Sequence, residues 1–363
     1  MQYEQARSWL EEDWRRVDDA LTGQTARFRG KRILVTGAAG FLGFNFLHYF
    51  SHLNTDGSGS EPVRVVAADN YLRGRPKWIV EIVQMDPNIT LSRCDITQPW
   101  PGTKFDYDFI IHAASIASPT FYRKYPLQTL DANVLGIRQM LELGRKHNVE
   151  SILYFSSSEI YGDPPPDEIP TKESYRGNVA CVGPRACYDE SKRLGETLCY
   201  LYSRQFNVPI KIVRPFNNYG PGLRLNDGRV LSDFCRDVLS GRDIVLKSDG
   251  LASRTFCYAS DALTGYLLML LSPYNGQPLN IGADAPEITM REMAGLVLKV
   301  ARSERNVVFE ASHEPDYLTD NPQRRCPDIS QARTVLGFNP QVGLEQGLLR
   351  MLEWYRNLSE DDR

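Results

Sequence analysis

Apolar residues recur along this chain in two rhythms. Short runs rich in β-branched residues come first: Ile33-Leu34-Val35, Arg64 to Ala68, Ile89 to Cys94, Phe109 to His112, Ser151 to Phe155 and Ile210 to Arg214. Runs this short read as buried strands. Between them, apolar residues return every three or four positions: Phe41, Leu42, Phe44, Phe46 and Leu47, then Leu127 to Lys146, then a segment starting near Gly183. That spacing predicts helices. Strands alternating with helices predict an α/β fold, a doubly wound parallel sheet. After Arg214 the strand pattern stops. Helices near Leu231–Ser240, Ser260–Leu271, Thr289–Ala301 and Leu344–Asn357 predict a smaller α/β lobe. Before the first strand, Tyr3, Ala6, Leu10, Trp14, Val17 and Leu21 mark an amphipathic helix. The predicted units are 1–28, an N-terminal helix; 29–220, the sheet domain; and 221–363, mainly the smaller lobe.

Composition narrows this little. The chain has 363 residues, 42% hydrophobic and 24% charged, ordinary for a globular protein of one large domain and an appendage. A net charge of −3 carries no basic balance for nucleic acid or an anionic membrane. No apolar run approaches the roughly 20 residues that span a bilayer. The start, MQYEQARSWLEEDWRRVDDAL, is too charged for a signal peptide. The cysteines number seven, scattered, with no C-x-x-C pair. That favours reduced thiols and a cytoplasmic protein over disulfides or zinc. Of the histidines, His48 and His52 alone stand one helical turn apart, and His313 is isolated; no metal site is expected. Asn54 to Ser60, NTDGSGS, reads as a loop.

Candidate chemistry sits where strands end. Gly37, Gly40 and Gly43 separate the first strand from its helix, with Phe41 and Leu42 at the helix start. Such a turn lets a dinucleotide diphosphate approach backbone N–H groups, the Rossmann-type arrangement. Asp69 closes the second strand, followed by Asn70. A carboxylate there hydrogen-bonds ribose hydroxyls and repels a 2′-phosphate, favouring NAD, although Arg73 and Arg75 lie close by. Asp95 and Ile96 end the third strand, a candidate adenine contact. Ala113, Ala114 and Ser115 follow the fourth and leave room for a cofactor. The fifth runs into Ser156-Ser157-Ser158-Glu159. Tyr188 and Lys192 are one helical turn apart, where an ammonium favours the phenolate and makes a base.

Together with Arg214-Pro215-Phe216-Asn217-Asn218-Tyr219-Gly220-Pro221, these motifs resemble extended short-chain dehydrogenases/reductases of the NAD-dependent epimerase/dehydratase kind. Within them the chain is most similar to UDP-glucuronate decarboxylases, or UDP-xylose synthases. The motifs that carry this are Ala117-Ser118-Pro119 with Tyr122, Ser156 to Pro164, Gly183 to Arg193, Asn226 to Val230, Ser253 to Phe256 and Arg325 to Ile329. The 4,6-dehydratases usually carry Asp-Glu at Ser158-Glu159, and the 4-epimerases usually lack the Glu. Ser157 stands for the usual Thr and Ser191 for the usual Gly. The resemblance implies bound NAD and a UDP-glucuronate substrate decarboxylated through a 4-ketone to UDP-xylose, or released as the 4-keto pentose. Tyr188 is then the base and Lys192 lowers its pKa. Ser157 polarises the C4 oxygen, Ser158 and Glu159 orient the sugar and manage protons near C5, and Arg254 binds the carboxylate. Asn217, Arg325, Arg185 and Tyr202, with Ser118 and Tyr122, belong to the substrate side. Pro215 and Arg229 belong to the cofactor side. A homodimer is implied as well. The alternatives are a 4,6-dehydratase, a 4-epimerase, or a non-catalytic dinucleotide sensor.

Overall fold

Ile33, Leu34 and Val35 are fully buried because the strand that holds them, β1 (Arg32–Thr36), is covered on both faces and paired on both sides. The protein is described here by a computed structural model covering residues 2–55, 61–100, 106–312 and 316–358, with side chains from Ser8 onward. Most of the loop expected at 54–60, and His313, lie outside the described residues.

The central sheet is all parallel. It contains β1, β2 (Arg64–Asp69), β3 (Ile89–Arg93), β4 (Phe109–His112), β5 (Ser151–Phe155), β6 (Ile210–Pro215) and an edge strand, Pro278–Ile281. The spatial order is Pro278–Ile281, β6, β5, β4, β1, β2, β3. Ile33 pairs with Val65 on one side and with Phe109 on the other. The chain therefore runs outward from β1 through β2 to β3, then crosses back to β4. A crevice opens where the carboxyl ends of β1 and β4 diverge, the usual ligand position in such sheets.

Six of the seven strands follow the sequence pattern; the seventh corrects it. Pro278-Leu279-Asn280-Ile281 joins β6 as an edge strand. Asn280 breaks its apolar run and a proline opens it, which is tolerated at a sheet edge. The helix expected over 127–146 is also divided. Pro126–Asp131 runs into a π-helical turn, Ala132–Gly136, and then Ile137–His147.

The sheet's core includes Phe28, Phe50 and Phe109, with ring centroids 5.5 Å apart in edge-on contacts. Burial of each such side chain contributes about 1.5–3 kcal/mol. A second core, with Tyr219, Phe234, Met293, Leu348 and Met351, holds the smaller lobe together. Helix Gln2–Leu21 packs on Ala259–Leu271 and Leu344–Asn357. Its Asp13 is buried against Arg350 and the Tyr258 hydroxyl. Among the described residues no helix is long and apolar enough to cross a membrane.

Candidate active site

The glycine turn shows why its residues are glycines. Gly37 has φ +71°, and a Cβ there would stand 2.6 Å from the Ala114 nitrogen, because the exit of β4 presses on the turn. A Cβ on Gly43 would stand 2.2 Å from the Ala38 oxygen, so helix Phe41–Thr55 seats closely on the turn. Gly40 is exposed and meets only its own turn. That leaves a groove bounded by backbone, as a dinucleotide diphosphate needs. Asp69 is fixed beside it. One carboxylate oxygen accepts from the Ala39 amide at 3.0 Å and the other from the Tyr71 amide at 2.7 Å. Burial raises the Asp69 pKa, and these two N–H groups oppose that. At the ends of β2 and β3, Asn70 reaches the Asp95 carboxylate at 3.5 Å, and Ile96 packs under the π-helical turn at Gly136.

Across the crevice, helix Ala186–Phe206 carries Tyr188 and Lys192 on one face. Both are buried. Tyr188 stacks on Tyr122 with centroids 5.2 Å apart and planes 14° from parallel. The Lys192 ammonium donates to the Phe155 carbonyl at 2.7 Å and lies 5.7 Å from the Tyr188 ring. Burial pulls its pKa down to about 7. The Tyr188 phenol is pushed up to about 12 by burial, against a hydrogen bond with Ser157. This differs from the expected lowering by Lys192: burial raises the tyrosine on balance. The helix is braced by a chain of polar groups. Ser115 donates to Asn133 in the π-helical turn at 2.7 Å, Asn133 donates to Ser191 at 2.9 Å, and Ser191 donates back to its own helix.

A charged cluster closes the other wall. Glu159 accepts from Arg325 with both oxygens, at 2.5 and 2.6 Å, and also from Arg185. The two guanidiniums hold its carboxyl down to about 2 in spite of burial. At neutral pH Glu159 therefore stays a carboxylate and holds the two arginines in place by charge. Arg254 is buried in the same wall and donates to the Ser253, Gln323 and Pro322 carbonyls. Burial, reinforced by Arg325, lowers its pKa to about 9, so a further anion beside it is favoured.

These groups share one cavity of about 1010 Å³. Ala113, Ser115, Ser157, Ser158, Glu159, Arg185, Tyr188, Lys192, Pro215, Asn217, Arg229, Arg254 and Arg325 line it, with Phe41 and Leu42. Asn217 is in the left-handed region at φ +41° and ties its amide to the Thr255 carbonyl. Arg229 pairs with Asp227 at 3.2 Å, and Ser118 donates to the Asp227 carbonyl at 2.5 Å. Of the residues expected on the substrate side, Ser118 and Tyr122 are buried behind the cavity lining, and Tyr202 is remote from it. Tyr202 lies on the outer part of its helix, bonded to Glu142 and packed in the core under the sheet, away from the cavity. Fourteen residues, almost four turns, separate it from Tyr188. Sequence reading also missed Lys247 and Tyr317, cavity residues with the ammonium 5.6 Å from the ring. Both come from irregular chain with no periodic signal. Among the described residues no group of three His, Cys, Asp or Glu side chains is placed to hold a metal ion.

The family model for the NAD dependent epimerase/dehydratase family matches residues 33–282. UDP-glucuronic acid decarboxylase 6 of Arabidopsis thaliana is 40% identical over 329 residues, 90% of this chain and 89% of that protein. UDP-glucuronic acid decarboxylase 1 of Xenopus tropicalis is 37% identical over 90% of this chain and 72% of its own. Among solved structures, a dTDP-glucose 4,6-dehydratase from Streptomyces venezuelae with NAD bound is 25% identical, with a TM-score of 0.77 over 90% of this chain and 97% of that one. A UDP-glucuronic acid 4-epimerase from Bacillus cereus, in complex with UDP-glucuronic acid and NAD, is also 25% identical, with a TM-score of 0.72 over 90% and 100%.

Proposed function

This chain belongs to the NAD dependent epimerase/dehydratase family, and from that premise we propose that it decarboxylates UDP-glucuronate to UDP-xylose. The observation that carries the reading is the trio Arg185, Arg254 and Arg325 in the same cavity as Tyr188 and Lys192. Every UDP-sugar brings a diphosphate, and UDP-glucuronate brings one further negative charge. Guanidiniums suit that carboxylate by charge and fork geometry.

The groove fits a dinucleotide by its glycine turn and anchored Asp69, and Gly37, Gly40, Gly43, Asp69, Asn70, Asp95, Ile96 and Ala114 are the residues we assign to it outside the shared cavity. Bound NAD would supply what no side chain here does, reversible hydride transfer at C4 of the sugar. Tyr188 takes the proton of the C4 hydroxyl, with Ser157 hydrogen-bonded to the same oxygen. Lys192, 5.7 Å from the ring, supports the phenolate in its protonated form. Arg254, with Arg185 and Arg325, holds the C5 carboxylate, and Glu159 keeps two of those arginines in place by charge. Once C4 is a ketone, the carboxylate is β to a carbonyl. Its loss as carbon dioxide leaves an electron pair shared with the C4 oxygen, where Tyr188 and Ser157 donate hydrogen bonds. Protonation at C5 completes the balance: UDP-glucuronate and a proton give UDP-xylose and carbon dioxide. Ser158 replaces the acid that a dehydratase needs for a departing 6-hydroxyl, and a serine is far too weak an acid for that.

The test is to incubate the protein with NAD and either UDP-glucuronate or UDP-glucose, and to identify products by mass. Carbon dioxide and UDP-xylose from the first, with the second unchanged, are expected. A 4-keto-6-deoxy sugar from UDP-glucose would move the chain to the dehydratases. Carbon dioxide with mainly 4-keto pentose would keep the decarboxylation and remove the closing reduction. A second expectation concerns the cofactor. Asp69→Ala should weaken NAD by about 1.5–3 kcal/mol, the value of a charged hydrogen bond, and narrow its margin over NADP. Equal affinity of the unaltered protein for the two cofactors, by fluorescence titration, would refute that role.

In this reading residues 29–220 hold the cofactor, 221–363 supply most of the sugar-nucleotide site, and 1–28 brace the two. We also propose a homodimer. Leu127, Leu130 and Leu135 on one segment, and Leu194 and Leu201 on the neighbouring helix Ala186–Phe206, are all exposed and form an apolar face for a second copy. A light-scattering mass of one chain would refute it. Seven free cysteines support a cytoplasmic address, which cell fractionation tests.

A further inference from the structure

Behind the arginines lies a carboxylate that the reaction above does not use. Asp189 follows Tyr188 on the same helix and is 4% exposed. Its Oδ2 lies 3.6 Å from Arg185 Nε. Its Oδ1 is buried without a hydrogen-bond partner, and so is Arg185 Nε. Arg185 thus stands between two carboxylates and hydrogen-bonds only Glu159 of the pair. The ionisable groups facing Asp189 are Glu159, Arg185 and Arg325 around the charge, with Tyr122, Tyr188 and Cys187 beside them.

A sugar carboxylate entering this wall brings a third negative charge to the same guanidiniums. Either the three repel one another or one of them gains a proton. Glu159 is held ionised by two arginines, down to about 2. Asp189 makes no short hydrogen bond, and burial together with the Glu159 charge already raises it to about 7. Of the two, Asp189 gives way.

We propose that Asp189 is a specificity-determining positioning residue of the carboxylate site, which takes up a proton as an anionic sugar docks and so frees Arg185 to turn toward it. The proposal deepens the decarboxylase reading and rests on it. The test is calorimetric titration of the protein in buffers of differing ionisation enthalpy, saturated with NADH so that the sugar is not consumed. UDP-glucuronate is compared with UDP-xylose, which differs only by the carboxylate. UDP-glucuronate should bind with uptake of roughly half a proton near pH 7, and its Kd should rise about tenfold between pH 6 and 8. UDP-xylose should show neither. Lys192 titrates in the same range but stands behind both sugars and cancels in the comparison. Asp189→Asn, neutral at every pH, should flatten the profile and keep the tighter binding at high pH. Equal proton uptake for the two sugars in the unaltered protein overturns the proposal, as does an unchanged profile in a folded Asp189→Asn. Failure of the underlying reading shows separately, as UDP-glucuronate that yields no carbon dioxide with NAD; that result removes both.

Discussion

Tyr188→Phe should lower turnover of UDP-glucuronate by about 10²–10⁴-fold, the usual cost of losing a general acid–base group, and should leave sugar-nucleotide binding nearly intact. The substitution removes one oxygen and keeps the ring. That ring is buried and stacked on Tyr122 at 5.2 Å, so packing changes little and the arginine wall is untouched. Burial pushes the phenol up to about 12, so the phenolate is the minor form near neutral pH. The rate of the unaltered protein should therefore rise with pH as phenolate becomes available, and the Phe variant should lose that dependence. Steady-state rates across pH, with binding measured in parallel, check both halves. Near-normal turnover by a folded Tyr188→Phe would take the base role from this residue.

How far the sequence led depends on the range of the signal. Strands β1 to β6 are short apolar runs, and their ends fell within a residue of the expected positions; the helix carrying Tyr188 and Lys192 was expected near Gly183 and starts at Ala186. The glycine turn was legible because its constraint is local: a neighbouring strand end stands 2.6 Å from where a Cβ on Gly37 would be. The edge strand Pro278–Ile281 was not legible, since a proline opens it, Asn280 breaks its apolar run, and parallel pairing with β6 is decided by tertiary contact. The π-helical turn at Ala132–Gly136 was hidden for another reason. One extra residue in a helical turn leaves no mark in composition, yet it sets Asn133 between Ser115 and Ser191. Tyr202 shows the limit of carrying roles across by resemblance. The motif Gly183 to Arg193 ends nine residues before it, and its side chain turns to Glu142, outside the cavity. The states of charge were least visible. That Glu159 is clamped as a carboxylate, and that Tyr188 is raised by burial rather than lowered by Lys192, follow from distances that no spacing along the chain encodes.

Glu159→Gln should destabilise the protein by about 3–5 kcal/mol, because removing one partner of a buried ion pair leaves the other charge uncompensated. Here two guanidiniums lose their anion. Arg325 loses a two-point contact at 2.5 and 2.6 Å and Arg185 loses its short one, while Arg254 remains nearby and buried. A sugar carboxylate can take over part of that compensation. UDP-glucuronate should therefore raise the melting temperature of Glu159→Gln more than UDP-xylose does, and by a wider margin than in the unaltered protein. The same excess of positive charge should hurt the reaction. The carboxylate is charged in the bound substrate and leaves as neutral carbon dioxide, so a wall that is too cationic stabilises the ground state over the transition state. Both kcat and KM should fall together, kcat by about tenfold to a hundredfold if the imbalance is worth one charged hydrogen bond. Acid provides a check on the same charge. A glutamate whose folded pKa is depressed contributes stability above its unfolded value, and that contribution is lost as pH falls through the folded one. For Glu159 the window runs from 4.5 down to about 2. The unaltered protein should lose stability across that window, and Glu159→Gln should lose less. An unchanged melting temperature, or a KM that rises while kcat holds, would show that Glu159 contacts the sugar directly and does not govern the charge of the arginine wall.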